Sequence, residues 1–597
     1  MKFIKLKYLS IIIFIVVFFL GFNSLNNLRG TNKKGFEGLN VETNEWVYFP
    51  ITHGASGYGI HKTQDPQAEY DEISNKTFIV FSGEGENPYA TYYDHATGKI
   101  AAPIKIGTSP LVEDLHGTPT MIIDKDGYIH VFFGSSSSYV HYSKSTNPRN
   151  ITEWSTTILT DVPKGTYHNP TYDKLTGDIY VVFRAGDSHG DKYPSHEYAG
   201  LIRSKDNGKT WDDLGAIIDL TGHPASHSDV YIRSIDAVNG KLYLTWNIAY
   251  GKKHNDIRAN VYHAYYSIED EMLYSVNGLQ VGKVIDWTEH SSSEICVSEV
   301  NGANFAGHSF DNKGKSYVYW TQKIDNEDSI GYMVGYWENG KWKITDIGAR
   351  THHIMHNMAL RIDNSGKMEA FLISGIEHDM VYEYSFNNML QRGGNLSVWE
   401  SLDGIKWSQA ELIIGVSETT GQGIDVVTIP KNSHNDLKAL AMSFSASFTQ
   451  FNLPIYGISN ENNHYSYSKF EPKSLKHYIR RGLIPSLTED DLDKIPIGQD
   501  NYREWDLKGY LPNNTTEVYL RIIIRTINED GTFRIVLKEG ETNSKLRRDN
   551  AVSGIASDGV QEFFLWVPVS SNRTIDWMTI GEVINSITFE VVGYQTH

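Results

Sequence analysis

Three stretches of this chain gather side chains that could handle protons and anions. The first is Glu113-Asp114-Leu115-His116-Gly117-Thr118-Pro119. The second runs from Gly165 to Gly190, with Tyr167, His168 and Asn169 near its start and Arg184 and His189 towards its end. The third, Asp256 to Tyr266, carries Arg258, Asn260, Tyr262 and His263, and is preceded by Asp229 to Arg233. An imidazole with an unperturbed pKa of about 6.5 can act as a base at neutral pH, whereas a phenol, near 10, is protonated there. The rigid fork of a guanidinium can pair both oxygens of a carboxylate. Each residue also has an ordinary reading: a His ahead of a Gly-x-Pro turn caps a loop, and an Arg at a strand end is solvated. Arg184 gains weight because it ends an apolar strand, Ile179 to Phe183, whose unit opens on Tyr167 and His168.

Rigid elements must hold such groups, and the sequence supplies them as repeated strands. A turn containing Gly, Asp, Asn or Lys followed by an apolar, aromatic strand recurs at Lys76–Phe81, Gly127–Phe133, Gly177–Phe183, Gly240–Trp246, Gly314–Trp320, Gly366–Leu372 and Leu437–Phe444. β-Branched and aromatic residues favour strands, and Gly-rich turns bound them. Seven copies spaced by about 50 to 75 residues predict an all-β fold, a seven-bladed β-propeller whose blades bury apolar faces against their neighbours. A right-handed β-helix would need shorter, more regular coils. Ser204-Lys205-Asp206-Asn207-Gly208-Lys209-Thr210-Trp211 fits a hairpin box, S-x-D-x-G-x-T-W, and Ser401 to Trp407 is a shortened copy. These boxes speak for the fold and not for chemistry.

The chain has 597 residues, too many for one ordinary domain. The expected division is a signal peptide over residues 1–27, a propeller over 40–470, a charged linker over 471–505 and a β-sandwich accessory domain over 506–597. The signal reading rests on Lys2, Lys5 and Lys7 ahead of the apolar run Ile11 to Leu20, too short to span a bilayer comfortably. An uncleaved anchor is the alternative. Secretion, with no membrane contact after signal removal, is the expected address. Cys296 is the single cysteine, so the fold is held by its core and by no internal disulfide. A net charge of -18 argues against a nucleic-acid partner, and an anionic substrate would need a local basic pocket.

The segments DLHGTPTMIIDKDGYIHVFFG, TYHNPTYDKLTGDIYVVFRAG, SKDNGKTW, NVYHAYY and VGYWENGKWKITDIG, in that order, resemble the BNR-repeat proteins that include propeller-fold ulvan lyases. The similarity covers roughly Gly57 to Ser468. It implies β-elimination at a uronic acid of an anionic sulfated polysaccharide such as ulvan, giving 4,5-unsaturated uronate ends. Carried over by position, it implies that His116, Tyr167 and Arg184 are catalytic. The family often has a second histidine where this chain reads Gly134 to Ser138, with Ser136 the nearest match. The residue types fit the chemistry: Arg184 would neutralise the uronate carboxylate, His116 would take the C5 proton, and Tyr167 would protonate the departing O4 or, with its pKa lowered by Arg184, be the base itself. His168, Asn169, His189, Arg233, Asn260, Tyr262 and His263 are the expected substrate contacts. Catalysis needs no cofactor in this reading. A structural zinc or calcium could sit among His290, Cys296 and His308, or among His352, His353 and His356. Two other classes remain open: a sialidase-like glycoside hydrolase, which needs paired carboxylates, and a non-catalytic glycan-binding propeller.

Overall fold

The computed structural model describes residues 46–460 apart from 112–113, 186–196, 226, 252–256, 293, 325–328, 354, 375–392, 416–422 and 444–450, and beyond 460 little but the strands named below. The expected signal segment lies outside the described residues. Among those described, no helix is long and apolar enough to cross a membrane, and helical structure is limited to short 3-10 turns.

Seven antiparallel sheets, each built on a four-stranded meander, follow one another along the chain. The innermost strands of blades 1 to 7 are Ala68–Asp71, Thr120–Ile123, Thr166–Tyr172, His227–Val238, Asn304–Phe310, Met358–Ile362 and Ile424–Thr428. Consecutive inner strands pack side by side, and the turn after the innermost strand of blade 7 meets blade 1 through Tyr70 N–H to Lys431 O and Lys431 N–H to Ala68 O. The seven repeated motifs of the sequence are the second strands of the seven blades. They are the most apolar because both faces are covered: in Ile179–Ala185 every residue is buried. The outermost strand of blade 7 is Val47–Ser56, paired with Phe451–Ser459, so the start of the propeller completes its last blade and closes the circle. The two Ser-x-Asp boxes join the third and fourth strands of blades 3 and 6, with Asp206 and Asp403 accepting the backbone N–H groups of their own turns.

The axis of the wheel is filled by residues 60–67, which lead into blade 1. Lys62 Nζ donates to Met355 O at 2.7 Å and to Asp425 Oδ1 at 2.9 Å. Asp65 accepts from Arg233 of blade 4 and Thr428 of blade 7, and its N–H bonds Asn169 Oδ1 of blade 3. Arg233 goes on to the carbonyls of Phe305 and Met358 in blades 5 and 6. One buried polar hub therefore ties together most of the blades.

Residues expected to form a linker supply strands instead. His477–Tyr478 and Leu487–Glu489 both pair with Ile584–Thr596, which continues through Thr515–Thr526 to Gly559–Pro568. A second sheet runs Arg503–Asp506, Thr574–Ile580, Thr532–Glu539, Asn550–Ile555.

Candidate active site

The face of the wheel where inner strands begin and second strands end carries the site. Blade 3 sets its centre. Thr166 pairs with Arg184 and Asn169 with Val182, so Tyr167 and His168 form a bulge against the second strand. Tyr167 takes φ 57°, a left-handed conformation uncommon for a bulky residue, and the bulge turns its ring to the rim. The same register break occurs in blade 5, where Phe305 has φ 50° and covers Lys62. The bulge is thus a feature of the fold, and the choice of Tyr at 167 is what could be chemical.

His116 comes from the turn before blade 2. Gly117 allows this turn to close on the next one, since a Cβ there would lie 2.8 Å from Gly134 Cα and Ser135 N. Gln64 Nε2 of the axial segment donates to His116 O, fixing the turn from below. The imidazole lies 5.0 Å from the Tyr167 ring, centroid to centroid, and its Nδ1 makes a short hydrogen bond to Asp114 Oδ1. Burial pushes the Asp114 carboxyl up, but its bonds to His116 and Ser136 outweigh this and hold its pKa at about 2. With Asp114 ionised on Nδ1, the imidazole keeps Nε2 as the nitrogen that can accept a proton. Ser136, the nearest match to a second histidine, thus serves Asp114.

Arg184 closes the group from behind. Its guanidinium stands 4.9 Å from the Tyr167 ring centre and 4.7 Å from that of Tyr231, while Nε faces Glu197 Oε2 at 2.7 Å. It is only 7% exposed, and Nη1 is buried without a hydrogen-bond partner. Arg258, half-buried on blade 4, lies 3.6 Å from the centre of the Tyr231 ring. His61 of the axial segment stacks parallel to Tyr167 at 6.1 Å. The result is a phenol bracketed by an imidazole and a buried cation, with a second cation nearer solvent.

The structure brings His116, Tyr167 and Arg184 together on one rim. Other expected substrate contacts are elsewhere. Asn169 and Arg233 belong to the axial hub, fully committed to backbone and to Asp65. His168 is sealed under the bulge on Ser135 Oγ, and burial lowers its pKa to about 3. His263 is 0% exposed between Thr245 and Ser316, and Tyr262 is packed against Trp246 and His290. These four polar residues and one phenol were indistinguishable in sequence from site residues, but burial removes them from a ligand's reach. Asn260 stays half-buried, at φ 53°, donating to Tyr262 Oη. His189 lies outside the described residues. Sequence reasoning passed over Tyr231, Arg258, His61 and Glu197. The first two sat inside segments it singled out; nothing local marked the others.

The two expected metal sets are not assembled. His290 spends Nδ1 on Asp286 O and Nε2 on Trp246, Cys296 is pushed up to about 12 by burial, and His308 bonds Thr245 and faces Asp236. His352, His353 and His356 cluster ring against ring, 5.1 to 6.1 Å apart, with His353 Nδ1 accepting Met355 N–H and His356 Nδ1 on Thr351 Oγ1. Among the described residues, the donor atoms that do converge belong to another trio, treated below.

The chain is thus a seven-bladed β-propeller that carries an imidazole, a phenol and two guanidiniums on one rim. The sequence profile of the BNR repeat-containing family matches residues 48–350, half of the chain, and the chain belongs to that family. An ulvan lyase of Alteromonas sp. (strain LOR) is 32% identical over 157 residues, 23% of this chain and 30% of that protein. The Ulvan Lyase-PL25 of Pseudoalteromonas sp. (strain PLSV) is 28% identical over 235 residues, 30% of this chain and 47% of that protein. The matched stretches therefore span less than half the length of these curated relatives. The solved structure of a PL25 ulvan lyase bound to a GlcA(1-4)Rha3S fragment aligns at TM-score 0.57 and 17% identity, over 70% of this chain and 96% of that one, which speaks to the fold.

Proposed function

We propose that this protein is a polysaccharide lyase that cleaves ulvan, or a related uronate-bearing sulfated glycan, by β-elimination. The observation that carries the reading is the convergence of His116, Tyr167 and the Arg184 guanidinium within about 5 Å steps on one rim. In the reaction the imidazole Nε2 of His116 takes the C5 proton of the uronate. The electron pair released forms the C4–C5 double bond as the C4–O4 bond breaks, and the departing O4 takes the phenolic proton of Tyr167. Carbanion character at C5 is affordable only when the adjacent carboxylate is neutralised. Arg184, already facing Glu197, holds the positive field behind both phenols, and the more accessible Arg258 is the better placed to pair the sugar carboxylate.

A hydrolase would need two carboxylates poised across the scissile bond. Here Asp114 is tied to His116 and Glu197 to Arg184, which favours elimination. The amino-terminal apolar run supports export to the extracellular or periplasmic space, and the two carboxy-terminal sheets support a β-sandwich accessory domain. The activity is tested by adding the protein to ulvan and following the ultraviolet absorbance of the conjugated 4,5-unsaturated uronate. A rise abolished by His116→Ala is expected; reducing ends without the chromophore would establish hydrolysis instead, and retention without any product would establish a binding protein.

A further inference from the structure

On the opposite face, at the seam where blade 7 meets blade 1, His95, His434 and Asp436 each offer a donor atom within 4.8 Å of the others. His95 follows the third strand of blade 1, Pro88–Asp94, while His434 and Asp436 lie in the turn between Ile424–Thr428 and Ala439–Ser443 of blade 7. We propose that these three side chains bind a divalent transition-metal ion of the zinc type, which clips the last blade to the first.

Five observations bear on it. His95 is 4% exposed and its Nε2 is held by Thr77 Oγ1 at 2.8 Å, the outer hydrogen bond that orients a ligating imidazole. Its Nδ1 is buried with no hydrogen-bond partner, an orphan polar atom aimed at the cluster. Asp436 Oδ2 lies 3.7 Å from His95 Nδ1, while His434 Nδ1 accepts the Asp436 N–H at 3.1 Å, which leaves Nε2 as the ligand atom of His434. Ligands about 2.1 Å from a tetrahedral zinc are separated by about 3.4 Å, so the carboxylate already stands close to the required spacing. The two imidazole rings lie 4.1 Å apart, walled by Tyr70, whose hydroxyl is engaged by Asn75. The His434 side chain is 31% exposed, which leaves an approach for the ion and room for water at a fourth position.

Two imidazoles and one carboxylate suit zinc better than calcium, which prefers oxygen ligands. The site has no part in the elimination chemistry. The ion would add a link between two blades that already share an apolar cluster, with Ile79 and Phe81 against Leu440 and Met442, and the contact of the turn 430–436 with the strand Ala68–Asp71, so binding should stabilise the closed circle.

The test uses the full chain, stripped with chelator and titrated with Zn2+ under calorimetry, with unfolding temperature read in parallel. A second titration with Co2+ reads the intense visible bands of a four-coordinate ion. Wild type should bind and unfold at least about 2 °C higher with saturating zinc. His434→Ala, at an accessible side chain, and the isosteric Asp436→Asn should each lose one equivalent of metal and the stabilisation, while their metal-free unfolding stays close to that of wild type. Absence of binding in the wild type overturns the proposal, as does an unchanged stoichiometry in both variants, which would place the metal elsewhere.

Discussion

The axial hub and the rim site are made of the same residue types and do opposite things with them. Arg233 at the hub spends its guanidinium on Asp65, Phe305 O and Met358 O, and Asn169 spends its amide on Tyr167 O, Ile232 O and Asp65 N–H. At the rim, Arg184 keeps a buried Nη1 without a partner and Arg258 a buried Nε in the same condition. An unsatisfied buried donor costs stability, and a fold retains it where something else is gained. Arg233 and Asn169 thus spend their hydrogen-bonding capacity within the hub, whereas the two rim guanidiniums hold part of theirs back.

The sharpest way to break this contrast is to remove the two kinds of group separately. His116→Ala should lower the rate of unsaturated-uronate formation by about 10⁴-fold, since it removes the base, and should leave the unfolding midpoint nearly unchanged because the side chain is part-exposed. Tyr167→Phe should follow it closely. Arg233→Ala should show the reverse pattern, costing roughly 3 to 5 kcal/mol in denaturant unfolding because Asp65 is left buried without its cation. Its residual folded fraction should still cleave. A hub variant that folds normally yet loses activity would erase the distinction.

Much of the architecture was legible in the sequence, and for a definite reason. The second strands are covered on both faces, so they must be apolar throughout, and a seven-fold recurrence of such runs can be read without any long-range information. Arg184 was legible because it ends such a run, and His116 and Tyr167 were singled out with it through the resemblance to the BNR-repeat proteins, carried over by position. The separation of Asn169 from Tyr167, two positions apart, was not legible. A bulge sends one to the rim and the other to the axis, and bulges depend on pairing that local sequence does not announce. The axial segment was missed for a related reason: Lys62, Asp65 and His61 look like an ordinary polar loop until the blades surround them. The metal seam escaped because its ligands come from opposite ends of the propeller, 339 residues apart from His95 to His434.

Acid should destabilise the buried interior. Burial lowers His168 to about 3 and His290 to about 4, and His263 well below its ordinary value. Below pH 6.5 the unfolded chain takes up protons at these positions and the folded one does not, so stability is intact above 6.5 and falls as pH drops towards 4. Each group contributes at most about 1.4 kcal/mol per pH unit. Glu69, raised to about 7 by burial, acts in the opposite sense, gaining as pH falls from 7 towards 4.5, as do the raised carboxyls of Asp65 and Glu289, but the lowered histidines, His130 and His141 among them, outnumber these. Urea unfolding at pH 7.5 and 5 should show a net loss, reduced in His168→Asn. Asp114, held at about 2, stays charged across this range. Asp114→Asn should therefore slow cleavage by roughly 10²-fold at every pH tested, and a loss confined to low pH would contradict its role in orienting His116.

The smallest expected effect separates the two arginines of the rim. Arg184 is buried against Glu197, so Arg184→Ala mixes lost chemistry with an unpaired buried carboxylate, and its kinetics alone would not assign it a role. Arg258 is half-buried, lies over Tyr231 and has no ion pair among the described residues, so its removal strands no charge. If it pairs the sugar carboxylate, Arg258→Ala should raise KM for ulvan by about tenfold, the worth of one accessible charge-assisted contact, with kcat and the unfolding midpoint nearly unchanged. Arg258→Lys should recover only part of the loss, because an ammonium keeps the charge and loses the fork. A fall in kcat with KM unchanged would mean that the second guanidinium acts on the transition state through Tyr231, and would move it from binding into the same electrostatic unit as Arg184.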